Sequence, residues 1–146
     1  MSTAGSLNSG VTRELNLELL IMRLACALPF LYHGSAILFG AFGGPGPRNF
    51  AAFMKMPMIV GYLVGLAQFA GGLAILTGAL LRVGAISVMV VMFGAIFLVH
   101  LPHGYDIGHG GMEFALTELL LAAGLLLAGP GKYSLAGILP GALRKL

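Results

Sequence analysis

Residues 56–81, MPMIVGYLVGLAQFAGGLAILTGALL, decide the fold. This run holds no Asp, Glu, Lys or Arg, and it exceeds the roughly 20 apolar residues an α-helix needs to cross a bilayer. Its glycines recur as Gly61-x-x-x-Gly65, then Gly71-Gly72 and Gly78. Small residues at those intervals let helix backbones approach closely in lipid. A span over Met58–Leu80 follows, with Gln68 near its middle.

Working outward, Arg82 alone separates this run from a second uncharged stretch, residues 83–105. The turn between them is therefore short, and the two spans form an antiparallel hairpin. The span after Arg82 covers Val83–Leu101 and ends at Pro102 and Gly104, because proline and glycine do not sustain a helix there. On the other side, residues 24–47 are also free of charge. They give a first span over Leu19–Phe39, closed by GAFGGPGP at residues 40–47. Between Pro47 and Pro57, Phe50, Phe53 and Met54 fall on one helical face, the pattern of a short amphipathic helix on the membrane surface. The stretch between Glu118 and Lys132 is too short to cross alone. A fourth span therefore runs over Met112–Ala128 and takes Glu118 into the membrane, and the shortness of Leu24–Phe39 does the same to Arg23.

The expected fold is thus all-α, an integral membrane four-helix bundle. It divides into a polar N-terminal segment (1–16), one transmembrane domain (17–129) and a C-terminal tail (130–146) of loop and short surface helix. Composition agrees. Of 146 residues, 58% are hydrophobic and 9% charged, against about 25% charged in a soluble domain. That excludes both a soluble globule and a disordered chain. The single cysteine, Cys26, excludes an internal disulfide, a CxxC pair and a cysteine metal cluster. A net charge of +3 with no basic patch excludes nucleic acid as a partner. The N-terminus lacks the basic and apolar regions of a cleaved signal, so the first span is expected to remain as an anchor. Arg13, Arg82, Lys132, Arg144 and Lys145 gather on one side and only Arg48 and Lys55 on the other. This asymmetry places both termini in the cytoplasm and the protein in the plasma membrane. Tyr62, Tyr105 and Tyr133 fall at the two interfaces.

Counting residues along the spans places His33 and Glu118 each roughly 9 Å below the outer surface and Gln68 roughly 15 Å below it. His100, His103, His109 and Glu113 cap the same face as a polar lid. Charges at mid-membrane cost at least about 2.5–3.5 kcal/mol, so a buried Glu118 faces inward with a partner or a proton. Each residue also has a purely structural reading: Glu118 and Gln68 as glue between helices, Arg23 snorkelling toward Glu18 or lipid phosphate, Cys26 as a small buried hydrophobe. The convergence of His33, Gln68 and Glu118 in the outer half is what points to a site.

Those residues also carry a resemblance. Arg23, Leu31-Tyr32-His33-Gly34, Leu38-Phe39-Gly40 and Gly43-Gly44-Pro45-Gly46 resemble the opening of the DoxX family. The likeness continues through Gly65-Leu66-Ala67-Gln68-Phe69, Gly71-Gly72-Leu73, Thr77-Gly78-Ala79-Leu80-Leu81-Arg82 and Val99-His100-Leu101-Pro102-His103-Gly104. It closes with Glu113-Phe114-Ala115-Leu116 and Gly129-Pro130-Gly131-Lys132-Tyr133-Ser134-Leu135. Family members often carry Lys at the position of Ile37 and Glu at that of Gln68, so a proton or ion-pair role at those two positions is not carried over. The resemblance implies a small four-helix membrane protein. The family takes its name from a subunit of a sulfur-oxidising, quinone-linked system, and other members resemble partners of membrane oxidoreductase complexes.

The first functional expectation is a quinone-interacting subunit of a membrane oxidoreductase. His33 and Glu118 would bind and protonate the head group as the catalytic pair. Gln68, His100, His103, Glu113 and Arg23 would complete the binding set, and electrons would come from a partner protein or bound substrate. The second is a membrane scaffold or assembly partner using its Gly61-x-x-x-Gly65 face, with homo-oligomerisation open. The third is a metal or haem site with His33, His100 and His103 as ligands and Glu113 or Glu118 supplying oxygen, although neither CxxCH nor HExxH occurs.

Overall fold

Inside a bilayer no water bonds the main chain, so an apolar run must satisfy its own amides and carbonyls. A computed structural model describes the backbone of residues 3–143 and 146, and side chains from residue 12 onward within that range. Arg144 and Lys145, two of the residues in the charge asymmetry, lie outside the described residues, as do Met1 and Ser2 of the polar N-terminal segment. All regular structure among the described residues is helical: α1 (Thr3–Phe39), α2 (Gly46–Phe53), α3 (Met58–Thr77), α4 (Leu81–Ala95) and α5 (Glu113–Ala128), joined by short 3-10 and π turns.

The four long helices run up and down in sequence, α1 against α3, α3 against α4 and α4 against α5, with α5 returning to α1 and α2 resting across the N-terminal end of α3. Their shared core is Cys26, Ala27 and Phe30 from α1, Ile75 from α3, Leu81 and Val88 from α4, and Ala122 and Leu125 from α5. Large apolar side chains such as Leu63, Leu66, Val90 and Phe97 point outward, as a lipid environment requires. This is an all-α bundle of membrane type.

Glycine sets the spacing between helices. A Cβ on Gly84 would sit 2.7 Å from the Gly71 carbonyl oxygen, and one on Gly72 would sit 3.2 Å from the Ala27 carbonyl oxygen. The Gly61-x-x-x-Gly65 pair is also used within the chain. Gly61 lies against the backbone of Pro47, and Gly65 against Ile37 and Leu38. That face is therefore occupied by α1 and α2, which removes the main support for the scaffold reading.

The elements differ from the sequence reading in three ways. First, α1 starts at Thr3 and runs unbroken through the polar segment into the span. It carries Pro29 inside, a loss of one N–H that membrane helices tolerate when neighbours cover the freed carbonyl. Second, α4 loosens into a π turn, Ile96–His100, and then a 3-10 turn, Leu101–His103. Pro102 has no N–H to extend the α pattern. Third, among the described residues three helical stretches are long and apolar enough to cross a bilayer, Thr12–Phe39, Met58–Thr77 and Leu81–His103. α5, with 16 residues, rises only about 24 Å, against roughly 30 Å of hydrocarbon.

Candidate functional site

Arg23 is 2% exposed and its guanidinium is spent on main-chain carbonyls. Nε donates to Ile75 O at 2.9 Å, and Nη2 donates to Leu76 O. Nη1 donates to Pro130 O at 2.9 Å and to Tyr133 O at 2.6 Å. Ile75 and Leu76 belong to the last turn of α3, whose carbonyls lack the usual helical donors and carry the negative end of the helix dipole; Ile75 O also accepts from Gly78 N at 3.2 Å. Arg23 therefore caps α3 and ties the tail to it. Gly78, with φ of 72°, is the turn residue that makes room, because a Cβ there would meet Cβ of Ser134 at 2.5 Å. Nearby, Lys132 N donates to Asn16 Oδ1 at 2.6 Å. This geometry gives Arg23 a structural role and accounts for its burial without lipid phosphate or Glu18.

Glu118 is 5% exposed and Cys26 is fully buried. The Cys26 thiol and the Glu118 carboxyl lie close enough in the core to interact. Glu118 Oε2 is buried with no partner among the described residues. Counting residues pairs Glu118 with His33 in depth, but the structure pairs it with Cys26, about 10 Å further in along α1. The connection before α5 explains the shift. Met112 N donates to Gly104 O and Glu113 N to Tyr105 O, so the chain folds back on itself before the helix begins. The sequence reading missed Cys26 as a polar partner. Its spacing from Arg23 and Phe30 does mark the inward face of α1, but spacing does not say what stands opposite.

His33 lies on an exposed face of α1, edge-on to Tyr32 at 5.3 Å, and Tyr32 stacks on Phe42 at 4.9 Å. It is not brought together with Gln68 or Glu118. The three residues expected to converge are thus at three places: His33 on the surface, Glu118 in the core, and Gln68 beside a cavity.

The lid is folded by its own bonds. His103 Nδ1 donates to Val99 O at 2.9 Å, and Asp106 Oδ2 accepts from His109 Nδ1 at 2.7 Å. Glu113 Oε2 accepts from Ile107 N at 3.2 Å. His103 and His109 are exposed and Glu113 half-buried. No three His, Cys, Asp or Glu side chains gather as a metal-ligand set among the described residues, which leaves the metal reading without support.

Between α2, α3 and α4 lies a cavity of about 420 Å³, within the roughly 300–1,000 Å³ typical of small-molecule sites. Phe50, Phe53 and Met54 roof it, so the amphipathic face of α2 covers a hollow as well as meeting the membrane surface. Val64 and Ala95 are among the apolar walls. Its polar side chains are Gln68 at the deep end and His100 at the outer end. The exposed Leu63, Val90 and Leu98 border the same space, which places its opening on the lipid-facing surface. Two of the expected binding residues, Gln68 and His100, are therefore together, and His33, Arg23, Glu118, His103 and Glu113 are not among the lining residues.

A family model, DoxX, matches residues 18–101, from the inner part of α1 to the end of the π turn after α4. No curated protein matches the chain. No solved structure matches it either.

Proposed function

We propose, from the premise that the chain belongs to the DoxX family, that this membrane protein is a quinone-interacting subunit of an oxidoreductase system. The observation that carries the reading is the cavity with Gln68 and His100 at its ends and apolar walls between them. A ring with an isoprenoid tail needs an apolar slot, polar groups for its oxygens and a path from the bilayer. The slot lies under α2, the polar groups are His100 and Gln68, and the path is the lipid-facing gap between α3 and α4. Phe50 and Phe53 exclude water from above. A bound quinone would supply the two-electron chemistry. Electrons reach it from a partner protein, because the chain carries no cofactor motif of its own. The same reading places the protein in the plasma membrane with both termini in the cytoplasm, and labelling of single cysteines from either side tests that orientation.

A titration of the full chain in lipid nanodiscs with a short-chain benzoquinone and with its hydroquinone tests the site, through whichever form binds more tightly. Each hydrogen bond to an uncharged partner is worth about 0.5–1.5 kcal/mol, so Gln68→Leu and His100→Ala should each weaken binding by up to about tenfold. Gly94 lines the cavity, and a Cβ there meets nothing within 4 Å. Gly94→Leu should therefore fill the space and abolish binding while the protein stays folded. Unchanged affinity in all three variants would remove this site.

A further inference from the structure

His100 Nδ1 lies 2.8 Å from the Gly110 carbonyl oxygen in the lid. A carbonyl only accepts, so Nδ1 carries the hydrogen. In the uncharged ring the other nitrogen, Nε2, is then an acceptor. Because the lid holds the Nδ1 edge, the opposite edge is the one offered to the cavity that His100 lines. The outer end of the cavity thus presents a lone pair to its occupant. A ring oxygen that is a carbonyl cannot satisfy it, whereas a ring hydroxyl can. Gln68 at the deep end has an amide that both donates and accepts and so does not discriminate.

We infer that the cavity selects a hydroxyl-bearing ring, the hydroquinone form, over the corresponding dione, with His100 Nε2 accepting the hydroxyl hydrogen. This rests on the quinone reading above and sharpens it by naming the redox form that is held. The lid sets the preference, through one main-chain carbonyl that fixes the tautomer of a residue it does not otherwise resemble.

The test compares three short-chain probes on the full protein in nanodiscs under anaerobic conditions: a benzoquinone, its hydroquinone, and the hydroquinone dimethyl ether, which keeps ring and oxygens but has no O–H. The hydroquinone should bind about tenfold more tightly than the other two, the worth of one satisfied buried acceptor. His100→Asn should retain the bond to Gly110 through its amide but lack an atom at the Nε2 position. It should bring the three affinities together while leaving thermal stability unchanged. A dione or ether that binds as tightly as the hydroquinone overturns the inference and leaves the quinone reading standing. Failure of all three probes to bind overturns both. A preference that survives in His100→Asn also overturns the assignment to Nε2.

Discussion

Replacing Arg23 by methionine keeps the length of the side chain and removes its donors. Four carbonyls, of Ile75, Leu76, Pro130 and Tyr133, lose the Arg23 donor, and of these Ile75 O keeps Gly78 N at 3.2 Å. Hydrogen bonds to a charged group are worth about 1.5–3 kcal/mol each, so the gross loss is about 6–12 kcal/mol. Burying the guanidinium costs several kcal/mol, which the variant no longer incurs. The net loss should be about 3 kcal/mol or more, roughly a hundredfold in the ratio of folded to unfolded protein. Denaturant titration in mixed micelles measures the total. Amide hydrogen exchange locates it, because Arg23 holds the tail at Pro130 and Tyr133, and amides there other than that of Lys132, which Asn16 also holds, should lose protection before the helices do. Arg23→Lys should lose an intermediate amount, since an ammonium has three donors and lacks the planar fork. If Arg23→Met melted within about 0.5 kcal/mol of the parent and the tail kept its protection, the clamp would be an accident of geometry.

Three more outcomes follow from the same structure. Cys26→Ala removes the thiol beside the Glu118 carboxyl and should cost about 0.5–3 kcal/mol, whereas Cys26→Ser keeps a polar group there and should cost less. A double-mutant cycle with Glu118→Leu should show coupling of at least about 0.5 kcal/mol, and additivity would separate the two residues. Gly34→Ala places a Cβ 2.5 Å from the Phe69 nitrogen, a backbone clash between α1 and α3 that should cost about 1–3 kcal/mol in a thermal melt. Gly141→Ala, where a Cβ meets nothing within 4 Å, should leave the same melt unmoved.

The helices and their order were legible because the bilayer leaves a chain few options. Uncharged runs had to become helices, and Arg82 and the proline–glycine clusters had to fall between them. The inward face of α3 was legible too, from the spacing of Gly61, Gly65, Gly71 and Gly72. Relative height was not. Counting from the ends of spans put His33 and Glu118 at one level, and that count assumes every helix begins at the same plane. The hydrogen bonds of the segment before α5 break the assumption, so Glu118 finds Cys26 instead. Facing was equally hidden for His33. By spacing, His33 continues the face of α1 that carries Arg23, Cys26 and Phe30, yet it is exposed, and the chain as a whole is too apolar for its hydropathy to separate lipid from core. The cavity could not be read at all, because it is made by three helices failing to fill a space, and no residue type encodes a gap.

The Arg23 clamp also bears on how the protein is made. The residues it joins lie 107 and 110 positions apart, and the chain is synthesised from the N-terminal end. When α1 enters the membrane, the partners of its arginine do not yet exist. α3 provides half of them later, and the remainder come only with the loop after α5. Until then a full positive charge sits in the first span without the carbonyls that surround it in the folded protein. Its enclosure is complete only once the chain beyond the fourth long helix has been made. A ribosome-bound series of truncations, stopped before or after residue 133 and probed by protease at the tail, should show the switch from exposed to enclosed within a few residues of that point.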